Sequence, residues 1–187
     1  NPADYTEACL AVKAAMEHNG PVYLRLGRLA VPVVFGDDYK FEIGKGVELK
    51  EGSDVTIVAT GLMVNEALIA AEELSKEGIS AEVINMHTIK PLDKEAVLKA
   101  IQETRRIITV EDHTILGGLG SAVAEVMAEA GKGCAFTRLG LNDQFAPIGL
   151  HEDIMSMLGI DCNGIVNAVR EAMNKDFEED DNWDDEV

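Results

Sequence analysis

From residue 54 onward, short β-branched runs alternate with stretches whose apolar residues recur at helical spacing, and this alternation limits the fold more than any other feature. Residues 55–59 are predicted to form a buried strand. Residues 62–76 are predicted to form a helix that ends before Gly78, a residue suited to a left-handed cap. The continued alternation predicts an α/β fold with a largely parallel sheet and helices on both faces. The other predicted strands are 81–85, 106–110 and 134–139, and the other predicted helices are 93–104, 117–130, 150–158 and 162–175.

A different pattern precedes this domain. Residues 2–19 are predicted to form an amphipathic helix and residues 22–26 a strand. Because one helix and one strand cannot bury a core of their own, we interpret residues 1–36 as the remnant of a preceding domain with the start of a linker. Residues 37–52 would continue that linker, with a short hairpin, and residues 53–175 would form the main domain.

The chain is strongly acidic, with a formal net charge of −18. Residues 176–187 contain eight acidic side chains and no Lys or Arg, a composition that predicts a disordered, solubilising tail. The remaining body is still acidic, so nucleic acids and anionic membranes are not expected as partners. An anionic ligand would therefore need a local cationic site.

The cysteines and the first residues indicate a soluble protein of a reducing compartment. Cys9, Cys134 and Cys162 form no CxxC pair and no even-numbered framework, which argues against a zinc site or a disulfide scaffold. Residues 1–6 lack the basic and apolar regions of a signal peptide, and no apolar run approaches the ~20 residues of a membrane helix. A cytoplasmic location is expected.

A glycine-rich segment, Gly117-Gly118-Leu119-Gly120, lies where a strand leads into a helix. Helix N-termini offer unpaired N–H groups to phosphate, which suggests a dinucleotide site. However, a GxGxxG motif starting at Gly118 would place Val123 at its third small position, and no acid lies near Leu139 at the end of the following strand. We therefore favour a tight structural turn.

The segment Glu111-Asp112-His113 lies just beyond the carboxyl end of a predicted strand, the edge of an α/β sheet where ligands usually bind. An acid beside an imidazole could perform acid–base chemistry. Neighbouring residues of an extended chain point to opposite sides, so these three side chains cannot all converge. A structural or interdomain hydrogen-bonding role is favoured.

The other histidines give no metal or catalytic signature. His87 and His151 have no second ligand at metal-binding spacing. His18 lies near the end of a predicted helix, where a cation is simply favourable. Arg25 and Arg28, near the carboxyl end of the first predicted strand, are better candidates, because arginine binds phosphate through two parallel hydrogen bonds. The residues alone leave this role open against a surface salt bridge.

Taken together, these segments resemble a known family: the C-terminal half of transketolases, especially the separate C-terminal subunit of split transketolases, and of 1-deoxyxylulose-5-phosphate synthases. The resemblance covers essentially everything except the acidic tail. Its motifs are Gly-Pro-Val-Tyr-Leu-Arg-Leu-Gly-Arg at 20–28, Val-Thr-Ile-Val-Ala-Thr-Gly at 55–61, Ile-Lys-Pro-Leu-Asp at 89–93, Ile-Thr-Val-Glu-Asp-His at 108–113, Gly-Gly-Leu-Gly-Ser at 117–121 and the Gly-Ile-Asp-containing segment 159–169.

The resemblance implies a three-layer α/β/α transketolase C-terminal domain whose mixed sheet has about five strands, one of them antiparallel. It also implies that residues 1–28 are the last helix and strand of a pyrimidine-binding domain. The activity implied is the transfer of a two-carbon ketol unit between sugar phosphates, as in the pentose phosphate pathway. Thiamine diphosphate supplies the electron sink for this reaction, together with Mg²⁺.

In the family, the residues that hold and activate this cofactor lie upstream of the part present here. The resemblance therefore implies that this chain binds no cofactor and catalyses nothing alone. It would act with upstream domains or a separate subunit, and it would form a homodimer. It implies no catalytic residue for this chain.

One site residue is implied by the resemblance. Arg28 occupies the place of the arginine that binds the substrate phosphate at the end of the pyrimidine-binding domain, and Arg25 is its alternative. Here Arg28 follows Leu-Gly, where related enzymes often have serine or proline. The alternatives left open are a 1-deoxyxylulose-5-phosphate synthase, the β subunit of a 2-oxoacid dehydrogenase, and a non-catalytic assembly or dimerisation domain.

Overall fold

The computed structural model describes residues 1–175. The tail at 176–187, expected above to be disordered, lies outside the described residues. The strands within the described part are β1 (Val47–Lys50), β2 (Val55–Ala59), β3 (Ala81–Asn85), β4 (Arg106–Thr114) and β5 (Ala135–Leu141). The helices are α1 (Tyr5–Glu17), α2 (Met63–Lys76), α3 (Lys94–Glu103), α4 (Leu119–Ala130), α5 (His151–Leu158) and α6 (Cys162–Met173).

The five strands form one mixed sheet in the order β1-β3-β2-β4-β5. The β2 strand is parallel to both β3 and β4, and β5 is parallel to β4. The edge strand β1 runs antiparallel to β3. This arrangement confirms the mixed sheet with one antiparallel strand that the family resemblance implied.

Helices cover both faces of the sheet, which confirms the three-layer fold. Adjacent strand residues point to opposite faces, so Ile57 and Ile108 pack into the core beneath α2 and α6, whereas Val58 and Ile107 pack into the core beneath α3 and α4. This double burial explains why the strand sequences are continuously apolar rather than alternating. The carboxyl ends of the parallel strands therefore meet at one shared edge.

The predicted helix ends are confirmed where local chemistry defines them. The Asp93 side chain accepts a hydrogen bond from the Ala96 N–H at 3.1 Å and so caps α3. Gly78 has a φ of +82°, the left-handed conformation that ends α2 at little cost only for glycine.

Two predictions about the first fifty residues are wrong. Residues 22–26 form no strand, because nothing within residues 1–175 pairs with their backbone; Tyr23 is 89% exposed. The hairpin expected within residues 37–52 is also absent from the described chain. Instead β1 pairs with β3, whose free edge offers a row of backbone hydrogen-bonding groups.

The helix α1 is attached to the main domain through a buried carboxylate. Glu7 is fully buried, and its oxygens accept hydrogen bonds from the Asn85 amide at 2.8 and 3.0 Å and from the Tyr39 hydroxyl at 2.6 Å. Asp4 caps α1 by accepting from the Glu7 N–H and also accepts from the Phe35 N–H. Helix, linker and the end of β3 thus form one hydrogen-bonded unit.

Candidate functional site at the carboxyl edge of the sheet

A cleft of about 590 Å³ lies between the segment that follows α1 and the carboxyl edge of the sheet. Its lining includes residues that follow the three central strands, namely Thr60 after β2, His87 after β3 and Glu111 near the end of β4, together with Arg25. Ligands of open α/β folds bind outside this edge. This position makes the cleft the candidate functional site.

Arg25 is held to the main domain by a two-pronged salt bridge. Its guanidinium donates to both Asp112 carboxylate oxygens, at 2.8 and 3.1 Å, and to the Asp112 carbonyl at 3.0 Å. The side-chain hydrogen bond to Asp112 raises the pKa of Arg25 above its ordinary value. The sequence left Arg25 with two possible roles, phosphate binding or a salt bridge. In the structure Arg25 forms the salt bridge, so its guanidinium is not free to bind a phosphate.

Arg28 lies three residues beyond Arg25 and is exposed. Within residues 1–175 its side chain forms no ion pair and no hydrogen bond. An accessible guanidinium without an internal carboxylate partner is suited to an anionic ligand in an otherwise acidic molecule. Its phosphate-binding role stays a prediction.

Glu111 occupies the backbone N–H groups that the glycine-rich segment could have offered to a phosphate. It is fully buried, and its two oxygens accept hydrogen bonds from the backbone N–H groups of Leu119 at 2.7 Å and Gly120 at 2.8 Å. Burial raises the pKa of Glu111, although these two hydrogen bonds act against the rise. Because a protein carboxylate already occupies the first N–H groups of α4, the glycines form a structural turn, as predicted.

The glycines of this turn are required by close packing. A Cβ on Gly118 would lie 2.0 Å from a Glu111 carboxylate oxygen, and a Cβ on Gly120 would lie 2.7 Å from Arg138. Sequence reasoning recognised the turn but missed its partner. The available signal was an acid at the end of a strand, followed by a glycine-rich helix start.

The side chains of residues 111–113 point in alternating directions, as expected for an extended backbone. Glu111 faces the start of α4, whereas Asp112 faces Arg25 and joins the main domain to the preceding segment. His113 is exposed at the cleft. The contacts of Glu111 and Asp112 are those of a structural role, one of the two alternatives favoured from the sequence.

His87 is the one histidine of the described chain that is buried, with 3% exposure. Its ring lies 4.3 Å from that of Phe41, its Nδ1 lies 2.7 Å from the Thr88 hydroxyl, and its Nε2 has no hydrogen-bond partner within residues 1–175. Burial lowers the pKa of His87 to about 4. His18 is exposed in the same cleft, and His151 borders a separate cavity beside α5.

The free energy of unfolding is expected to fall by about 2–3 kcal/mol as the pH is lowered from 6.5 towards 4, because the unfolded chain binds the His87 proton at a higher pH than the folded chain does. His87→Asn should remove most of this slope, while His18→Asn should retain it. The raised pKa values of Glu7 and Glu111 act in the opposite direction but are common to all three proteins. Urea unfolding at several pH values measures the difference, and equal slopes in wild type and His87→Asn would contradict it.

The fold and this edge define a class of protein. Residues 44–165 match the family model described as the transketolase C-terminal domain. This chain therefore belongs to the transketolase C-terminal domain family. In addition, no helix in the described part of the chain is long and apolar enough to cross a membrane.

Particular relatives extend the match to most of the chain. It is 42% identical over 176 residues to the 6-deoxy-6-sulfo-D-fructose transketolase subunit SqwH of Clostridium sp. (strain MSTE9), covering 93% of this chain and 54% of that protein. It is 38% identical over 177 residues to the 1-deoxy-D-xylulose-5-phosphate synthase of Heliobacterium modesticaldum, covering 94% of this chain and 27% of the synthase.

A solved structure shares both the fold and the sequence. It is described as a split gene transketolase, inactive beta4 tetramer, and it superimposes with a TM-score of 0.88 at 44% identity. The match covers 92% of this chain and 56% of that one. This chain thus spans about half the length of that protein and of the SqwH subunit.

Proposed function

We propose that this chain is the C-terminal section of a thiamine-diphosphate-dependent transketolase, which transfers a two-carbon ketol unit between sugar phosphates. The observation that carries the proposal is Arg28, exposed and unpaired within residues 1–175 on a segment that Arg25 holds at the carboxyl edge of the sheet. A free guanidinium on this segment provides the local cationic site that an anionic sugar needs in an acidic protein.

The side chains of residues 1–175 do not fit thiamine diphosphate or its metal. Glu111 occupies the N–H groups of α4 that could have bound a diphosphate, and no three His, Cys, Asp or Glu side chains of residues 1–175 converge on a metal position. The cofactor and Mg²⁺ would be held by upstream domains or by a separate subunit. The part played by this chain is then substrate-phosphate binding and assembly.

The surface around α1 supports the need for such a partner. Tyr5, Met16, Tyr23 and Leu26 are all more than half exposed, at 74%, 83%, 89% and 57%. Large apolar side chains grouped on one segment are typical of an interface. The assembled enzyme would be a cytoplasmic homodimer of complete active units.

The relatives favour one alternative reaction and widen the range of anionic groups that the substrate could carry. The identity to a 1-deoxy-D-xylulose-5-phosphate synthase makes that reaction the alternative. The SqwH relative is named for a sulfo-sugar, and a sulfonate, like a phosphate, is a tetrahedral oxyanion. Arg28 would therefore select a terminal oxyanion rather than phosphate alone.

Reconstitution tests the proposal. The complete polypeptide, mixed with its cofactor-binding partner, thiamine diphosphate and Mg²⁺, is expected to transfer two carbons from a ketose phosphate donor to an aldose phosphate acceptor. The products are a ketose phosphate two carbons longer than the acceptor and an aldose phosphate two carbons shorter than the donor, and mass spectrometry measures both. Omitting the polypeptide should abolish these products. A parallel reaction supplies pyruvate and glyceraldehyde 3-phosphate. Formation of 1-deoxyxylulose 5-phosphate and CO₂ in that reaction alone would establish the alternative, and the absence of product in both reactions would contradict the proposal.

A further inference from the structure

Residues 19–33, which follow α1, have a single polar attachment to the rest of the described chain. Within residues 1–175, Arg25 supplies every hydrogen bond made by residues 19–33, and all three of them end on Asp112. Arg25 and Asp112 are 87 residues apart in the sequence. This pair therefore anchors the segment that carries Arg28 on one side, and the Val34 N–H, which donates to the Asp4 carboxylate at 2.7 Å, anchors it on the other.

We propose that Asp112 is a positioning residue for substrate recognition: acting through Arg25, it sets the location of Arg28 and so determines the preference for sugars with a terminal phosphate or sulfonate. The inference rests on the proposed function, because it assumes that Arg28 binds that group. It gives the C-terminal domain a defined role in substrate selection, although Asp112 itself touches no substrate.

The geometry of the pair suits this role. A planar guanidinium with two parallel hydrogen bonds to one carboxylate is fixed in orientation as well as in distance. The Asp112 side chain is only 16% exposed and that of Arg25 34%, so water competes less than at a surface ion pair. The third bond, to the Asp112 carbonyl, resists rotation about the other two.

Asp112 is held between two paired positions of β4. Val110 and Thr114 both pair with β5, the register shifts between them, and the preceding Glu111 is bonded to the start of α4. From Arg25 to Arg28 the chain can span at most about 10 Å. A shift of the Arg25 anchor therefore moves the base of the Arg28 side chain, and small displacements of a binding group have large effects on its function.

A purely stabilising salt bridge is the competing explanation. Such a bridge would affect the melting temperature and the turnover of all substrates alike, whereas a positioning pair changes the ratio between phosphorylated and unphosphorylated substrates. The chain offers a matched control in Arg170 and Glu77, a second arginine–carboxylate pair that joins α6 to the end of α2.

The experiment measures kcat/KM for xylulose 5-phosphate and for xylulose in the reconstituted enzyme. Asp112→Asn is expected to lower the preference for the phosphorylated ketose about tenfold, mainly through a higher KM. Glu77→Gln should leave the preference unchanged. Exchanging the charges, with Arg25→Asp and Asp112→Arg together, should restore part of it.

A double substitution separates this inference from the proposed function. In an Arg28→Ala background, Asp112→Asn should cause no further loss of preference, because both changes act through one contact. If Arg28→Ala lowers the preference and Asp112→Asn does not, or if the two losses add, the positioning role is overturned while the phosphate role stands. If Arg28→Ala itself has no effect, the proposed role of Arg28 fails first and the inference fails with it.

Discussion

Replacing Arg28 with alanine is expected to lower kcat/KM for a phosphorylated ketose about 100-fold in the reconstituted enzyme. Two charge-assisted hydrogen bonds to a phosphate are worth roughly 3 kcal/mol, and about 1.4 kcal/mol corresponds to a factor of ten. The effect should fall on KM more than on kcat, because the phosphate is bound in both the ground state and the transition state. Steady-state kinetics with paired phosphorylated and unphosphorylated donors measures it.

One control substrate and one control variant show whether the effect is specific to the phosphate and to Arg28. The unphosphorylated donor should be used equally well by wild type and Arg28→Ala. Lys132→Ala removes another exposed cation, just beyond the C-terminal end of α4 and therefore away from the carboxyl edge of the sheet, and it should leave both substrates unaffected. An unchanged KM for the phosphorylated donor in Arg28→Ala would refute the phosphate assignment and favour a non-catalytic assembly domain.

Replacing Glu111 with alanine is expected to reduce the free energy of unfolding by about 3 kcal/mol or more. The change leaves the Leu119 and Gly120 N–H groups without their acceptor in a buried site, and each unsatisfied group costs roughly 1–3 kcal/mol. It also opens a cavity beside the turn. Urea unfolding followed by circular dichroism provides the measurement.

Two variants test the cause of this loss. Glu111→Gln retains one oxygen acceptor and should lose only part of the stability. Glu125→Ala removes an exposed acid from the same helix and should change stability by less than about 0.5 kcal/mol. If Glu111→Ala were as stable as Glu125→Ala, the carboxylate would not hold the start of α4.

Local features of the sequence predicted most of the fold. The strands and helices from residue 55 onward follow from hydrophobic spacing and from end signals such as Asp93 and Gly78, which act within a few residues of their own position. The antiparallel strand came only from the family resemblance. Its pairing with β3 joins Val47 to Asn85 across many intervening residues, and such a contact leaves no local pattern to detect.

The site was predicted less completely, for the same physical reason. The residue types were identified, including Arg25, Arg28 and the segment 111–113, but their pairing was not. The Arg25–Asp112 contact spans 87 residues, so the sequence left a phosphate and a salt bridge as equal alternatives for Arg25. The predicted strand at 22–26 failed because a strand depends on a partner, which its own sequence does not reveal.

We propose that this polypeptide contributes to an active site whose cofactor is bound by another part of the assembly. Isothermal titration calorimetry with thiamine diphosphate and Mg²⁺ tests this arrangement, first on the purified chain and then on the chain assembled with its cofactor-binding partner. The chain alone should give no heat of binding, and the assembly should bind one cofactor per active site. Stoichiometric binding of thiamine diphosphate by the chain alone would contradict the proposed division of the active site.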